Sequence, residues 1–149
     1  MKICLTCSHG GHLTEMLQLM DVFKEHDIFF ITYEGERTKE LSPKYTIKNG
    51  EINLLMSIPS IFGILIKEKP RLIISTGSEI AIPVFYAGRL LGIKTIFIES
   101  LCRINEPSGT GKLVYLVSNV FLVQWKELQK KYGKKSQYWG QCYDFRLGG

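Results

Sequence analysis

Short apolar runs recur along this chain. Between them stand segments whose apolar residues return every three or four positions. Lys2–Cys7, Asp27–Thr32, Arg71–Ser75, Lys94–Glu99 and Val120–Gln124 are runs of five or six residues, and Tyr45–Lys48 is a shorter one. Strands that are apolar on both faces need cover on both faces, and helices alternating with them supply it. The order of elements therefore predicts a doubly wound, Rossmann-like α/β domain with a parallel sheet of six or seven strands.

The helical segments follow from spacing and punctuation. Leu13, Met16, Leu17, Met20 and Phe23 lie on one face of a helix over His12–His26. Ser57–Lys69 reads as a helix with Pro59 in its first turn and Pro70 just beyond its end. Ser78 is expected to cap a helix running to about Leu91, closed by Gly92. Residues 33–43 read as a loop with one helical turn. Residues 100–111 read as a long loop, followed by helices over Lys112–Ser118 and Lys126–Tyr132.

The 149 residues are the size of one domain, expected to span 1–149. A chain of this length buries ~70% of its unfolded surface without disulfides. Its net charge is 19 − 14 = +5, and five lysines against one glutamate fall within residues 126–135. That is a basic patch, which argues against a nucleic-acid-coating protein. No secretion signal precedes Cys4 and Cys7, and period-two alternation puts them on opposite faces of a strand. The expectation is two buried thiols in a reduced, cytoplasmic protein with no leader or anchor. Ile52–Ile66 is uncharged over 15 residues but broken by Pro59 and Gly63, short of the ~20 that cross a bilayer. Leu54, Leu55, Ile58, Ile61, Phe62 and Leu65 have helical spacing, while Met56, Ile64 and Ile66 make the other faces apolar. Two readings stand: a core helix, or a helix with one side on the sheet and the other among lipid headgroups beside Lys67 and Lys69.

In an open α/β sheet, ligands bind beyond the carboxyl ends of the strands. Four strand ends carry polar, glycine-rich or ionisable residues. After the first come Ser8, His9, Gly10, Gly11 and His12. Glycines let the backbone approach a ligand, a helix start suits a phosphate or diphosphate, and His12 is suited to general-base work. The alternative is a tight turn with His12 as a cap. Neither a dinucleotide fingerprint nor a P-loop is present. Thr76, Gly77 and Ser78 after the fourth strand suit a second anion, sugar hydroxyls, or a plain helix cap. Glu99 is either ligand-facing or the ion-pair partner of Arg103, and Arg103 is either a phosphate clamp or a surface residue. Gln124 and Trp125 read as a packing corner. No residue set calls for a metal or cofactor.

The run Cys7–Leu17 (CSHGGHLTEML) resembles the start of a glycosyltransferase family. So do Ile74–Ser78, Pro83, Ile96–Ser100, Arg103, Ser108–Lys112 (SGTGK) and Val123–Trp125. The family is the acceptor-binding, membrane-recruiting subunit of split GT-B UDP-sugar glycosyltransferases. It includes a subunit of the dolichol-pathway N-acetylglucosamine transferase and bacterial capsule and exopolysaccharide homologues. The resemblance implies the N-terminal half of a GT-B enzyme, with a UDP-sugar-binding partner chain. The implied acceptor is a polyprenyl-diphosphate-linked sugar, and the implied location is the cytoplasmic membrane face. It also implies that Ser8, Gly10 and Gly11 hold the acceptor diphosphate, with Thr76, Gly77, Ser78 and Arg103 in the same site. His12 would then lie near the acceptor hydroxyl, with Glu99 lining the catalytic cleft. His9 departs from the family, which usually has Ser or Gly there. The competing reading is a stand-alone Rossmann protein that binds a nucleotide or nucleotide-sugar without transfer.

Overall fold

The computed structural model describes residues 1–142. Seven strands form one sheet: β1 (Lys2–Cys7), β2 (Asp27–Tyr33), β3 (Lys44–Ile47), β4 (Leu72–Ser75), β5 (Lys94–Ile98), β6 (Val120–Val123) and β7 (Ser136–Tyr138). Their order is β3-β2-β1-β4-β5-β6-β7, and every pair is parallel. The order reverses direction between β1 and β4, and the loops leaving those strands diverge there to open a crevice.

The helices are α1 (Gly11–Gln18), α2 (Glu51–Met56), α3 (Ile58–Glu68), α4 (Ala81–Leu90), α5 (Gly109–Val114) and α6 (Lys126–Tyr132). Ile61 and Leu65 of α3, Val84 and Phe85 of α4, Val114 of α5 and Leu128 of α6 share one core with Cys4, Ile73, Phe97 and Phe121 of the sheet. Leu13 and Met16 of α1 share the opposite core with Ile3, Leu5 and Cys7. Cys4 and Cys7 are thus buried on opposite faces, as alternation requires, and both are free thiols.

Several boundaries differ from the sequence reading. The helix expected over His12–His26 ends at Gln18, and a 3-10 turn over Met20–Phe23 completes it. The apolar stretch is two helices, broken at Ser57. Pro59 has no N–H to continue the ladder, and the Ser57 hydroxyl donates back to the Leu54 carbonyl at 2.6 Å. Ser78 does not cap α4: its hydroxyl donates to the Glu79 carboxylate at 2.8 Å, and α4 starts only at Ala81. α5 begins before Lys112, because Ser108 caps it by accepting from the Gly111 N–H at 2.8 Å. α6, with the basic segment, packs on β6 and β7, at the opposite sheet edge from β3.

Candidate functional site

A cleft of about 640 Å³ lies over the β1–β4 switch point. Ser8, Gly11, His12, Gly77, Ser78, Glu99 and Arg103 all line it. Gly10 and Thr76, also expected in the site, do not line it; Thr76 is bonded to His12, and the Gly10 carbonyl accepts from Arg37. Glu15, Tyr33, Asn49 and Glu79 line it as well, and the sequence reading did not single these out.

The first loop is held open. A Cβ at Gly10 or Gly11 would meet nothing within 4 Å. The free space lies over the start of α1, where backbone N–H groups and the helix dipole favour an anion. Arg37 braces this loop from outside, donating to the Gly10 carbonyl at 3.1 Å and to the Thr14 hydroxyl at 2.9 Å.

His12 is pinned to the second loop. Its Nδ1 lies 2.9 Å from the Thr76 carbonyl, and the Thr76 hydroxyl donates to the His12 carbonyl at 2.6 Å. A carbonyl only accepts, so Nδ1 carries the proton. In the neutral ring Nε2 is then left with its lone pair. Gly77 is required here for two reasons: its φ is +120°, and a Cβ would sit 2.6 Å from His12 Nδ1.

Glu99 is 1% exposed. One carboxylate oxygen accepts from the Ser100 N–H at 3.1 Å. The other accepts from the Ser108 N–H at 3.2 Å, the Ser108 hydroxyl at 2.8 Å and the Tyr132 hydroxyl. Burial and this carboxylate push the Tyr132 phenol pKa up, so the phenol stays a donor. The Glu99–Arg103 ion pair, one of the alternatives read from sequence, does not form. Arg103 is exposed at the cleft, with no side-chain hydrogen bond or ion pair among the described residues. Glu15, one turn into α1, accepts from the Ser100 hydroxyl at 2.8 Å, the Leu101 N–H at 3.2 Å and Gln124 Nε2 at 3.2 Å. Gln124 also donates to the Glu99 carbonyl at 3.0 Å, and Trp125 Nε1 donates to the Leu101 carbonyl at 2.7 Å. The packing corner expected at Gln124–Trp125 therefore anchors the loop that carries Arg103. Glu15 was legible as a carboxylate on the same helical face as Gly11 and His12. Tyr33 and Glu79 had no local signal.

Residues 36–142 match the family described as oligosaccharide biosynthesis protein Alg14 like. The chain belongs to the Alg14 family. It is 25% identical to the UDP-N-acetylglucosamine transferase subunit ALG14 of Saccharomyces cerevisiae, over 94% of this chain and 76% of that protein. It is 30% identical to the Rattus norvegicus subunit of the same name, over 81% of this chain and 57% of that protein. Among solved structures it is similar to Acinetobacter baumannii MurG, with a TM-score of 0.79, 16% identity, and coverage of 99% of this chain and 48% of that one. The chain spans about half the length of the solved structures it matches. The described residues form a Rossmann-like α/β sheet, as the strand pattern predicts, and their fold is like that of part of MurG.

Proposed function

We propose that this chain is the acceptor-binding subunit of a two-chain glycosyltransferase. It takes a polyprenyl-diphosphate-linked sugar and presents one hydroxyl to a UDP-sugar held by a partner subunit. The transferred unit is a hexosyl group, with N-acetylglucosamine the first candidate from the names of the relatives. The observation that carries the reading is the His12 ring, its Nδ1 proton committed to Thr76 and Nε2 left to accept. In the proposed step the acceptor hydroxyl gives its proton to Nε2 while its oxygen bonds to the anomeric carbon. The bond to the departing UDP breaks with its electron pair, inverting that carbon. Gly10, Gly11 and the start of α1 receive the acceptor diphosphate, with the Arg103 guanidinium, exposed at the cleft, able to clamp it. Glu99, expected as a catalytic group, suits positioning better, because both its oxygens already accept hydrogen bonds. It holds the start of α5 and the loop bearing Arg103.

Membrane association follows from the substrate. α2 turns Ile52, Leu55 and Met56 outward, 77%, 67% and 76% exposed. A short apolar helix face of this kind favours the headgroup boundary. No helix among the described residues is long and apolar enough to cross a membrane. The reading is therefore a peripheral protein on the cytoplasmic face.

The test is transfer of radiolabelled sugar from UDP-N-acetylglucosamine to a polyprenyl-diphosphate-sugar, by this chain alone and with its co-purified partner. Activity only in the pair supports the proposal. Robust transfer by the single chain overturns the split. Tight UDP-sugar binding by the single chain, with no transfer by the pair, returns the stand-alone binding reading.

A further inference from the structure

The two sides of the cleft carry opposite chemistry. The α1 side offers the start of the helix and Arg103, and its two carboxylates, Glu15 and Glu99, are already taken up by protein donors. The β4 side offers Glu79, an exposed carboxylate two residues beyond the glycine that seats His12. Ser78 beside it takes φ +77°, a costly conformation for a non-glycine residue, and donates its hydroxyl to Glu79 at 2.8 Å. Burial works against charge on Glu79. Its own backbone N–H, the Ser78 hydroxyl, the neighbouring Tyr33 phenol and the His12 ring outweigh that and hold the carboxyl below the usual range. Across from it, Tyr33 ends β2 at 2% exposure and still lines the cleft. The Tyr33 hydroxyl is buried and meets no partner in good hydrogen-bond geometry, although Glu79 lies close enough that its charge and side chain add to burial in pushing the phenol up. Buried hydroxyls in native proteins nearly always have a partner, so one left over at a cleft wall points to a ligand group.

We propose that Glu79 and Tyr33 form a sugar subsite that takes two neighbouring hydroxyls of the acceptor sugar and so sets which hydroxyl faces His12. This rests on the acceptor-binding reading above. An ionised carboxylate repels a diphosphate and accepts from hydroxyls, while a phenol can both donate and accept. The charge therefore sorts the ligand along the cleft, with the anion on the α1 side and the neutral polyol on the β4 side. Of the two ligands read from sequence for Thr76–Ser78, sugar hydroxyls fit beside Glu79 and a second anion does not.

The experiment compares Glu79→Gln and Tyr33→Phe with the wild type in the assembled two-chain enzyme. The acceptors are the lipid-linked sugar and analogues lacking single hydroxyls, and inorganic diphosphate is the competitor. Each variant is expected to raise the acceptor KM about tenfold or more with a small change in kcat. Each is also expected to lose discrimination against one deoxy analogue, while inhibition by diphosphate stays unchanged in Tyr33→Phe and is unchanged or tighter in Glu79→Gln, which has lost the repelling charge. Tyr33→Phe removes an unpartnered hydroxyl, so its melting temperature should hold or rise, which separates lost binding from lost folding. Unchanged KM values, or an undiminished deoxy penalty, would overturn the subsite while wild-type transfer leaves the acceptor reading standing. Weaker diphosphate inhibition in Glu79→Gln would also overturn it, because the carboxylate would then belong to the anion's own site. No transfer by the wild-type pair would overturn the underlying reading itself.

Discussion

His12 and Thr76 hold each other by two hydrogen bonds running in opposite senses: the imidazole Nδ1 to the Thr76 carbonyl at 2.9 Å, and the Thr76 hydroxyl to the His12 carbonyl at 2.6 Å. The pair stitches the first loop of the cleft to the second across 64 positions of sequence. It sets both the tautomer and the direction of the ring. His12→Ala in the assembled enzyme should lower kcat ~10²–10⁴-fold, the range of a lost general base. Steady-state rates beside a melting curve check this. Wild-type rates in a folded variant would reduce His12 to a brace between loops.

Two glycines should respond in opposite ways to the same change. Gly11→Ala meets open space at the first position of α1, so the fold should be unharmed or gain up to ~1 kcal/mol. Transfer should fall, because the added methyl sits where a phosphate must approach. Gly111 is also helical, yet a Cβ there would overlap the Tyr132 hydroxyl and the Glu99 carboxylate. Gly111→Ala should cost roughly 1–3 kcal/mol. Chemical denaturation of both variants, with acceptor titration of the first, decides the matter. An unstable Gly11→Ala with normal acceptor affinity would contradict the ligand role of that space.

The apolar face of α2 is the place to probe membrane binding. Phe62 is packed against the core beside Ile61 and Leu65, so changing it tests stability. Ile52→Ser with Leu55→Ser should leave the melting temperature within a few degrees and reduce flotation with anionic vesicles severalfold. Full flotation by the double variant would move lipid contact to another surface or to the partner chain.

Stability should fall on the alkaline side. The ordinary thiol value is 9.0. Burial pushes Cys7 up to about 12, against a smaller opposing pull from the nearby Thr76 side chain, and pushes Cys4 up as well, helped by the nearby Cys7. An unfolded chain releases these protons near pH 9 and the native chain retains them. The stabilisation is therefore complete below that pH and is lost as pH rises through it, by at most about 1.4 kcal/mol per pH unit for each proton. Urea unfolding on both sides of pH 9 measures the slope, and Cys7→Ala should flatten it. An unchanged slope in that variant would assign the loss to other groups.

The six strands read from apolar runs are all present, and β1, β2 and β4 are near-continuously apolar because both their faces are buried. That requirement is local and survives in the sequence. β7 escaped notice because Ser136–Tyr138 is polar and short, and it exists because β6 offers it an edge. Cys4 and Cys7 fell on opposite faces by alternation alone. The residues around the cleft were legible as strand-end positions, since topology sends every parallel strand end to one rim. Their partners were not. Glu99 meets Tyr132 from 33 residues away, Glu15 meets Gln124 from 109, and Glu79 stands beside Tyr33 only because β2 and the loop after β4 converge over β1. Periodicity records which face a side chain takes. Which donor meets which acceptor is decided by packing of distant segments, and that exists only once the sheet has formed.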